Sequence, residues 1–271
     1  MGDYENHEKT AVIYYQYYAY RNGKDNERYD NKVNQRIVIM NYKYAINQNY
    51  EDFASGRVLY NAKNVPNYPV RLINEMYGRC LSYSVKKENI CLYDCCCGGG
   101  YSLTVLGFLN QSSISSIIGS DIDKNMLTTA ERNLSLLTRE GLLRRKHELQ
   151  EMYKKYSKDS HREAQISADK LSTLLKKTIS VTIFQADALN LTPQIFSPDI
   201  IITDIPYGNL VEWHGNDNCL DKLIDSLKNI ASKNTILAVS MDKGQKITQT
   251  SIKRLEHQVI GKRKFEIFTL N

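Results

Sequence analysis

Leu92-Tyr93-Asp94-Cys95-Cys96-Cys97-Gly98-Gly99-Gly100-Tyr101 is the stretch from which the architecture of this chain can be read. An apolar run, Ile90 to Tyr93, leads into three consecutive glycines, and Ser102 to Leu109 then follows with helical spacing of its apolar residues. Strand, tight turn and helix in that order make a ligand-binding unit, because glycine tolerates positive φ and lets a ligand approach the backbone amides. No Gly-Lys-Ser/Thr follows, so a nucleoside triphosphate loop is not indicated. Asp94, Cys96, Cys97, Gly98, Gly99 and Gly100 are therefore candidate cofactor contacts.

Outward from this turn the chain alternates between strand-like and helical patterns. Apolar runs at Ser116 to Ser120, Val181 to Gln185, Asp199 to Thr203 and Thr235 to Ser240 are separated by helical segments, which predicts a doubly wound, mostly parallel sheet. Two further runs, Glu256 to Ile260 and Lys264 to Thr269, are separated only by Gly261, Lys262 and Arg263, too short a link for a parallel crossover. They predict an antiparallel hairpin at the sheet edge, giving an α/β fold of seven strands. The second strand ends in Gly119-Ser120-Asp121-Ile122-Asp123, about 20 residues past the glycines, where an acid can accept from ribose hydroxyls. Asp121 takes that role, with Ile122 beside it as a further cofactor contact, and Asp123 is read as the cap of the following helix. Asp187, at the end of the third strand, is placed to accept from an adenine amine.

Composition narrows the class. The chain has 271 residues, 42 % of them hydrophobic, enough for a full core. No apolar run approaches the roughly 20 residues that cross a bilayer, and the first residues lack the basic-then-apolar order of a secretory signal, so a cytoplasmic protein is expected. Cys95, Cys96 and Cys97 are contiguous and ill placed to pair with one another, which favours reduced thiols. Cys91 adds a fourth sulfur, but strand neighbours point to opposite faces and scatter such ligands, so no metal site is expected.

Residues 1–39, rich in Tyr, Asn and charge and without apolar periodicity, read as a weakly ordered extension, with Met40 a candidate natural start. Residues 40–271 form one catalytic domain. An insertion at about 137–177 carries Leu142, Leu149, Met152 and Tyr156 at helical spacing, which predicts helices outside the core. From Arg139 to Lys177 it holds eleven Lys or Arg against six Asp or Glu. It reads either as a solvated helical flap or as a nucleic-acid contact surface in which Arg144, Arg145 and Lys146 meet phosphates.

After the fourth strand comes Ile201-Ile202-Thr203-Asp204-Ile205-Pro206-Tyr207-Gly208. It resembles the Asp/Asn-Pro-Pro-Tyr signature of amino-group methyltransferases, with Ile205 in place of the first proline. An amino nitrogen on a base is a poor nucleophile, since its lone pair conjugates into the ring. Asp204 and a carbonyl near Ile205 or Pro206 would hold its N–H groups and aim the lone pair, while Tyr207 stacks on the base. Asp204, Pro206 and Tyr207 are thus the candidate catalytic residues.

Together these motifs resemble the avilamycin-resistance rRNA methyltransferase family of AviRa type. The likeness runs from about Tyr50 to near the C-terminus and takes in Tyr68-Pro69-Val70-Arg71-Leu72, Leu103-Thr104-Val105-Leu106-Gly107, Trp213 and Gly215. It implies a Rossmann-like class I methyltransferase that uses S-adenosyl-L-methionine to methylate the exocyclic N2 of a guanine in 23S ribosomal RNA, with reduced sensitivity to orthosomycin antibiotics. A DNA adenine-N6 methyltransferase and a catalytically silent RNA-binding module are the rival classes. Arg71 would meet the methionine carboxylate or form a structural salt bridge, and Trp213 would contact the flipped base or pack its loop. No obligate protein partner is indicated. The family pattern Asp-Pro-Cys-Cys-Gly-Ser-Gly departs here at Cys95 and Gly99, changes expected to loosen the turn.

Overall fold

The computed structural model describes residues 40–62, 67–193, 196–205 and 219–270. The extension expected over 1–39 lies outside them. In chain order the elements are α1 (Val70–Tyr83), β1 (Ile90–Asp94), α2 (Tyr101–Leu109), β2 (Ile114–Asp121), α3 (Lys124–Ser135), α4 (Arg139–Tyr156), α5 (Asp159–Leu174), β3 (Ser180–Gln185), β4 (Ile200–Asp204), α6 (Cys219–Lys228), β5 (Ile236–Asp242), β6 (Lys253–Ile260) and β7 (Arg263–Thr269). Every strand expected from the sequence is present, with ends shifted by one to three residues.

The seven strands form one sheet in the order β3-β2-β1-β4-β5-β7-β6. The first five are mutually parallel, and β7 runs antiparallel to both β5 and β6. The expected hairpin is therefore real, but its second strand is inserted beside β5 and its first forms the edge. Gly261, at φ +60°, makes the tight reversal between them. Strands are added outward in one direction from β1 to β3 and in the other from β4 to β5, so the carboxyl ends of β1 and β4 flank the crevice where an open α/β sheet binds its ligands.

Strand alternation sorts the core into two layers. Leu92, Ile117, Ile202 and Ala238 pack on one face with α1, α2 and α3, through Met76, Leu103, Leu106 and Leu134. Tyr93, Ile118, Ile201 and Val239 pack on the other with Leu223 and Leu227 of α6. Strands buried on both sides read as continuous apolar runs, which is why Ile200 to Ile202 was legible as a strand. Among the described residues no helix is long and apolar enough to cross a membrane.

The insertion is a pair of helices, but it is not peripheral. Leu142 of α4 and Ala168 and Leu171 of α5 belong to the first core layer, whereas Met152 and Tyr156, expected on the apolar stripe, are exposed. Arg145 is a further correction. It was assigned to the phosphate-contact surface, yet only 5 % of it is exposed. Its Nε donates to the Val58 carbonyl at 2.8 Å, Nη1 to Glu148 at 3.0 Å and Nη2 to the Arg57 carbonyl at 3.4 Å. Its guanidinium also lies 4.3 Å from the centre of the Tyr60 ring. Lys146 is held at 2.6 Å by Asp169 across the helix pair, and of the three assigned cations only Arg144 is exposed without such a commitment.

This burial makes a direct test. Arg145→Ala strands two buried carbonyls and removes packing under Tyr60, so we expect a loss of about 2–4 kcal/mol in urea unfolding, against less than about 0.5 kcal/mol for Arg144→Ala. Equal small losses would show that Arg145 is solvated after all.

Candidate functional site

The site is built where β1 runs into α2. After Asp94 the chain must turn back sharply, and Gly98 and Gly100 do so at φ +51° and +70°. A Cβ on Gly100 would also stand 2.9 Å from the Ala130 Cα, so α3 can approach only because no side chain intervenes. The turn is then tied by carboxylates from the strand ends. Cys96 N–H donates to Asp94 Oδ1 at 3.0 Å, Gly98 N–H to Asp121 Oδ2 at 2.8 Å, and Asp123 N–H to Asp121 Oδ1 at 3.0 Å. Asp123 caps α3 through the Asn125 amide, as expected.

The positions of the replacements, Cys95 and Gly99, are both closely surrounded. A Cβ on Gly99 would sit 2.9 Å from the Ala62 Cβ and 3.2 Å from Thr129 Cγ2, so neighbouring side chains already fill that space. The Gly99 carbonyl accepts from Asn133 Nδ2 at 2.7 Å, and the same buried amide exchanges hydrogen bonds with both backbone groups of Tyr60. The Cys95 thiol is buried and donates to Thr203 on β4 at 3.6 Å. Asn133 was missed by the sequence reading, since an amide on an amphipathic helix carries no local sign of what it will clasp.

Asp94 is almost wholly buried, and its carboxyl is pushed up to about 7. Burial is the largest cause, opposed by the Cys96 amide and Thr203 hydroxyl and reinforced by the negative charges of Asp121 and Asp204. Asp204 ends β4, paired in register with Ser240 of β5, and its carboxyl is raised to about 6. Burial again dominates, with Arg263 and the Ser240 hydroxyl pulling the other way. Arg263 Nη1 lies 3.4 Å from Asp204 Oδ2, and its guanidinium is 5.2 Å from the centre of the Tyr68 ring. Tyr68 in turn donates to Ser240 at 3.1 Å. Asp204 Oδ1 is buried and meets hydrogen-bond geometry with none of the described residues. Arg263 was read only as part of a hairpin link; its place beside Asp204 follows from the β5–β7 register, which sequence alone does not reveal.

The remaining candidates divide. Asp121 and Ile122 stand side by side at the end of β2, and Ile122 is 62 % exposed, unusual for an isoleucine at a strand end. Asp187 is exposed at the end of β3 and caps the short turn Ala188–Asn190 through the Leu189 amide. Arg71 bonds the Ala45 carbonyl and Asn47, lies 4.0 Å from the centre of the Tyr42 ring and acts by its charge on Tyr50, all in the segment ahead of α1. Pro206, Tyr207, Trp213 and Gly215 lie outside the described residues. Cys80, Cys91, Cys95, Cys96 and Cys97 are free thiols, and among the described residues no group of three or more His, Cys, Asp or Glu is placed to hold a metal ion.

Comparison with known proteins agrees with this geometry. The family model described as rRNA methyltransferase AviRa matches residues 40–263. A curated protein of Streptomyces viridochromogenes, named 23S rRNA (guanine(2535)-N(1))-methyltransferase, is 34 % identical over 233 residues, 82 % of this chain and 93 % of its own length. Two solved structures of the rRNA methyltransferase AviRa from that organism, at 1.5 Å and 2.4 Å, superpose with TM-scores of 0.77 and 0.76. Each is 33 % identical, with 84 % of this chain and 96 % of that chain covered. The relative's name specifies ring nitrogen N1, which corrects the expectation of an exocyclic N2 acceptor for this family member.

The buried acid makes a pH prediction. Asp94 has an ordinary value of 3.8 and a folded value of about 7, so between those limits the folded state binds the proton more tightly than the unfolded chain. Its contribution is then greatest in acid and falls as pH rises from about 4 to about 7, levelling above. Asp94→Asn should flatten this fall in urea unfolding across the window. The same slope in variant and wild type would place the titration elsewhere.

Proposed function

The chain belongs to the AviRa family of rRNA methyltransferases, and from that premise we propose that it methylates a guanine of 23S rRNA at N1, using S-adenosylmethionine. The observation that carries the N1 reading is the buried Oδ1 of Asp204, without a hydrogen-bond partner among the described residues, on a carboxyl raised to about 6. Guanine N1 differs from an exocyclic amine in carrying a single lactam proton, which must leave before or as the new N–C bond forms. A general base with a value near neutrality, within reach of that proton, is the group such a step requires.

The residues present fit the cofactor. S-adenosylmethionine, when bound, supplies an electrophilic methyl group on a cationic sulfur. Asp94 and Asp121 bring negative charge to the glycine turn, complementary to a ligand of net positive charge. Gly98 to Gly100 keep the turn's backbone open to close approach. Asp121 offers acceptor oxygens for ribose hydroxyls, exposed Ile122 an apolar surface for a base, and Asp187 a further acceptor. Arg71 remains a candidate for a carboxylate once released from Asn47.

On the acceptor side Asp204 Oδ1 takes the N1 proton as the methyl group is transferred, so the ring is left neutral and methylated. Arg263 keeps Oδ2 directed toward itself and favours the ionised form. Pro206 and Tyr207 follow Asp204 directly and are proposed to hold and stack the base, with Trp213 contacting it. N1 lies on the Watson–Crick edge, so a paired guanine must first be extruded or taken from a loop.

Asp204→Asn should abolish transfer while leaving cofactor affinity within a few fold, and Asp121→Ala should weaken cofactor binding first. A methyl on N1 blocks Watson–Crick pairing, so reverse transcription of the treated rRNA should stop beside one guanine. Read-through with one methyl incorporated would indicate N2 and sink the N1 assignment. Transfer should also rise with pH through Asp204's ionisation near 6, and Arg263→Gln should move that limb upward, since the guanidinium lowers it. An unshifted limb would show that another group titrates.

A further inference from the structure

The carboxyl edge of the sheet divides by charge. At the ends of β1, β2 and β3 stand Asp94, Asp121, Asp123 and Asp187. At the same edge, beyond Asp204, β5 ends at Asp242, which is paired in register with Arg263 at the start of β7. The β5–β6 loop and the β6–β7 turn therefore meet there, two strand spacings or about 10 Å from β4. They carry Lys243, Lys246 and Lys262, all exposed, besides Arg263. Lys243 N–H donates to the Lys262 carbonyl at 3.0 Å, which fixes the loop against the turn. The one nearby acid of this loop, Asp242, turns its Oδ1 onto the Gly244 amide at 2.8 Å. Among the described residues none of the three lysines has an ion-pair partner.

On the helix pair much of the basic excess is already matched, although Arg139, Arg144, Lys155 and Lys158 are exposed. Arg145 is buried, and Lys146, Lys154, Arg162 and Lys170 are held by Asp169, Glu151, Asp159 and Asp52. Cations already matched to carboxylates gain less from a phosphate, because the acid must be abandoned or brought near a like charge. Unmatched lysines on a pinned rim beside the acceptor carboxylate suffer neither loss.

We propose that this rim, Lys243, Lys246 and Lys262 with Arg263 at its inner end, grips the phosphates of the RNA strand that carries the target guanine. It deepens the function proposed above and rests on that reading for the identity of the RNA. The strand lies over the β5–β7 half of the edge, while the acidic β1–β3 half repels phosphates and is left for the cationic cofactor. Lysine suits the task, being a point charge that reads the backbone without specifying a base.

The test is a titration of the full chain with a 23S rRNA fragment over a range of salt concentrations. The triple variant Lys243→Ala, Lys246→Ala, Lys262→Ala should bind at least about tenfold more weakly at low salt, and the slope of log K against log salt should fall by about 2, near the value for three lost phosphate contacts. KM for RNA should rise with kcat and cofactor affinity little changed. The triple arginine variant, which keeps charge, should restore both slope and KM, and separates lost charge from a disturbed loop. An unchanged slope in the alanine variant overturns the proposal, and a slope that falls instead on replacing Arg139, Arg144 and Lys158 moves the RNA to the helix pair. If the wild type binds the fragment through this rim but modifies no guanine, the enzymatic reading fails and the surface stands. If the wild type binds no RNA, both fall.

Discussion

Backbone amides that leave β1 must be satisfied while the chain reverses into α2, and the carboxylates of Asp94 and Asp121 perform that task. The turn closes one N–H on itself, Gly100 to the Cys97 carbonyl at 2.8 Å, and passes Cys97 N–H to the Ser120 carbonyl of β2, but the amides of Cys96 and Gly98 need side-chain acceptors. Accepting them with side chains from β1 and β2 locks the turn to the sheet register, in which Asp94 pairs with Gly119. The direction of α2, the close approach of α3 at Ala130 and the position of the crevice all follow from that connection. The same acids that hold the turn offer the charge a cationic ligand needs, so structure and binding draw on one set of oxygens.

A second consequence concerns proton affinity. Asp94, Asp121 and Asp204 converge on one edge because parallel strands end together, and burial there favours the protonated forms of Asp94 and Asp204. Asp204 has a cation beside it, Arg263, since β7 runs antiparallel and starts where β5 ends. The reversed strand thus places a cation next to the one acid proposed to work as a base. It also gathers the unmatched lysines of the rim, so the edge is acidic on one side and basic on the other.

The segment ahead of the sheet is held by polar residues reaching far along the chain. Glu75 is fully buried and accepts from the amides of Lys43, Tyr44 and Ala45, with Arg79 beside it. Burial acts to raise its carboxyl, but the three amides and Arg79 outweigh it and hold it below the usual range. Asn133 clasps Tyr60, and Arg145 clasps Arg57 and Val58. Tyr60 lies between the guanidiniums of Arg132 and Arg145, at 3.8 and 4.3 Å from its centre. The inserted helices therefore act as a clamp on residues 57–60, next to the glycine turn, which accounts for the one charged residue they bury, Arg145.

The amino-acid sequence by itself determined the strands, their alternation with helices, the glycine turn, the acids at strand ends and the hairpin, because each depends on residues adjacent in the chain. Period-two and period-3.6 burial, positive φ at glycine and capping at Asp123 are local effects that leave local marks. Tertiary structure decided what each polar group is matched with. Met152 and Tyr156 keep helical spacing yet face solvent, and Arg145, in the run Arg144-Arg145-Lys146, is buried while Arg144 is not. Arg263 reaches Asp204 across 59 residues only through strand register. Charge counted along a sequence cannot distinguish a cation matched to an acid from one left free for phosphate, because that difference depends on distances between segments the chain brings together only on folding.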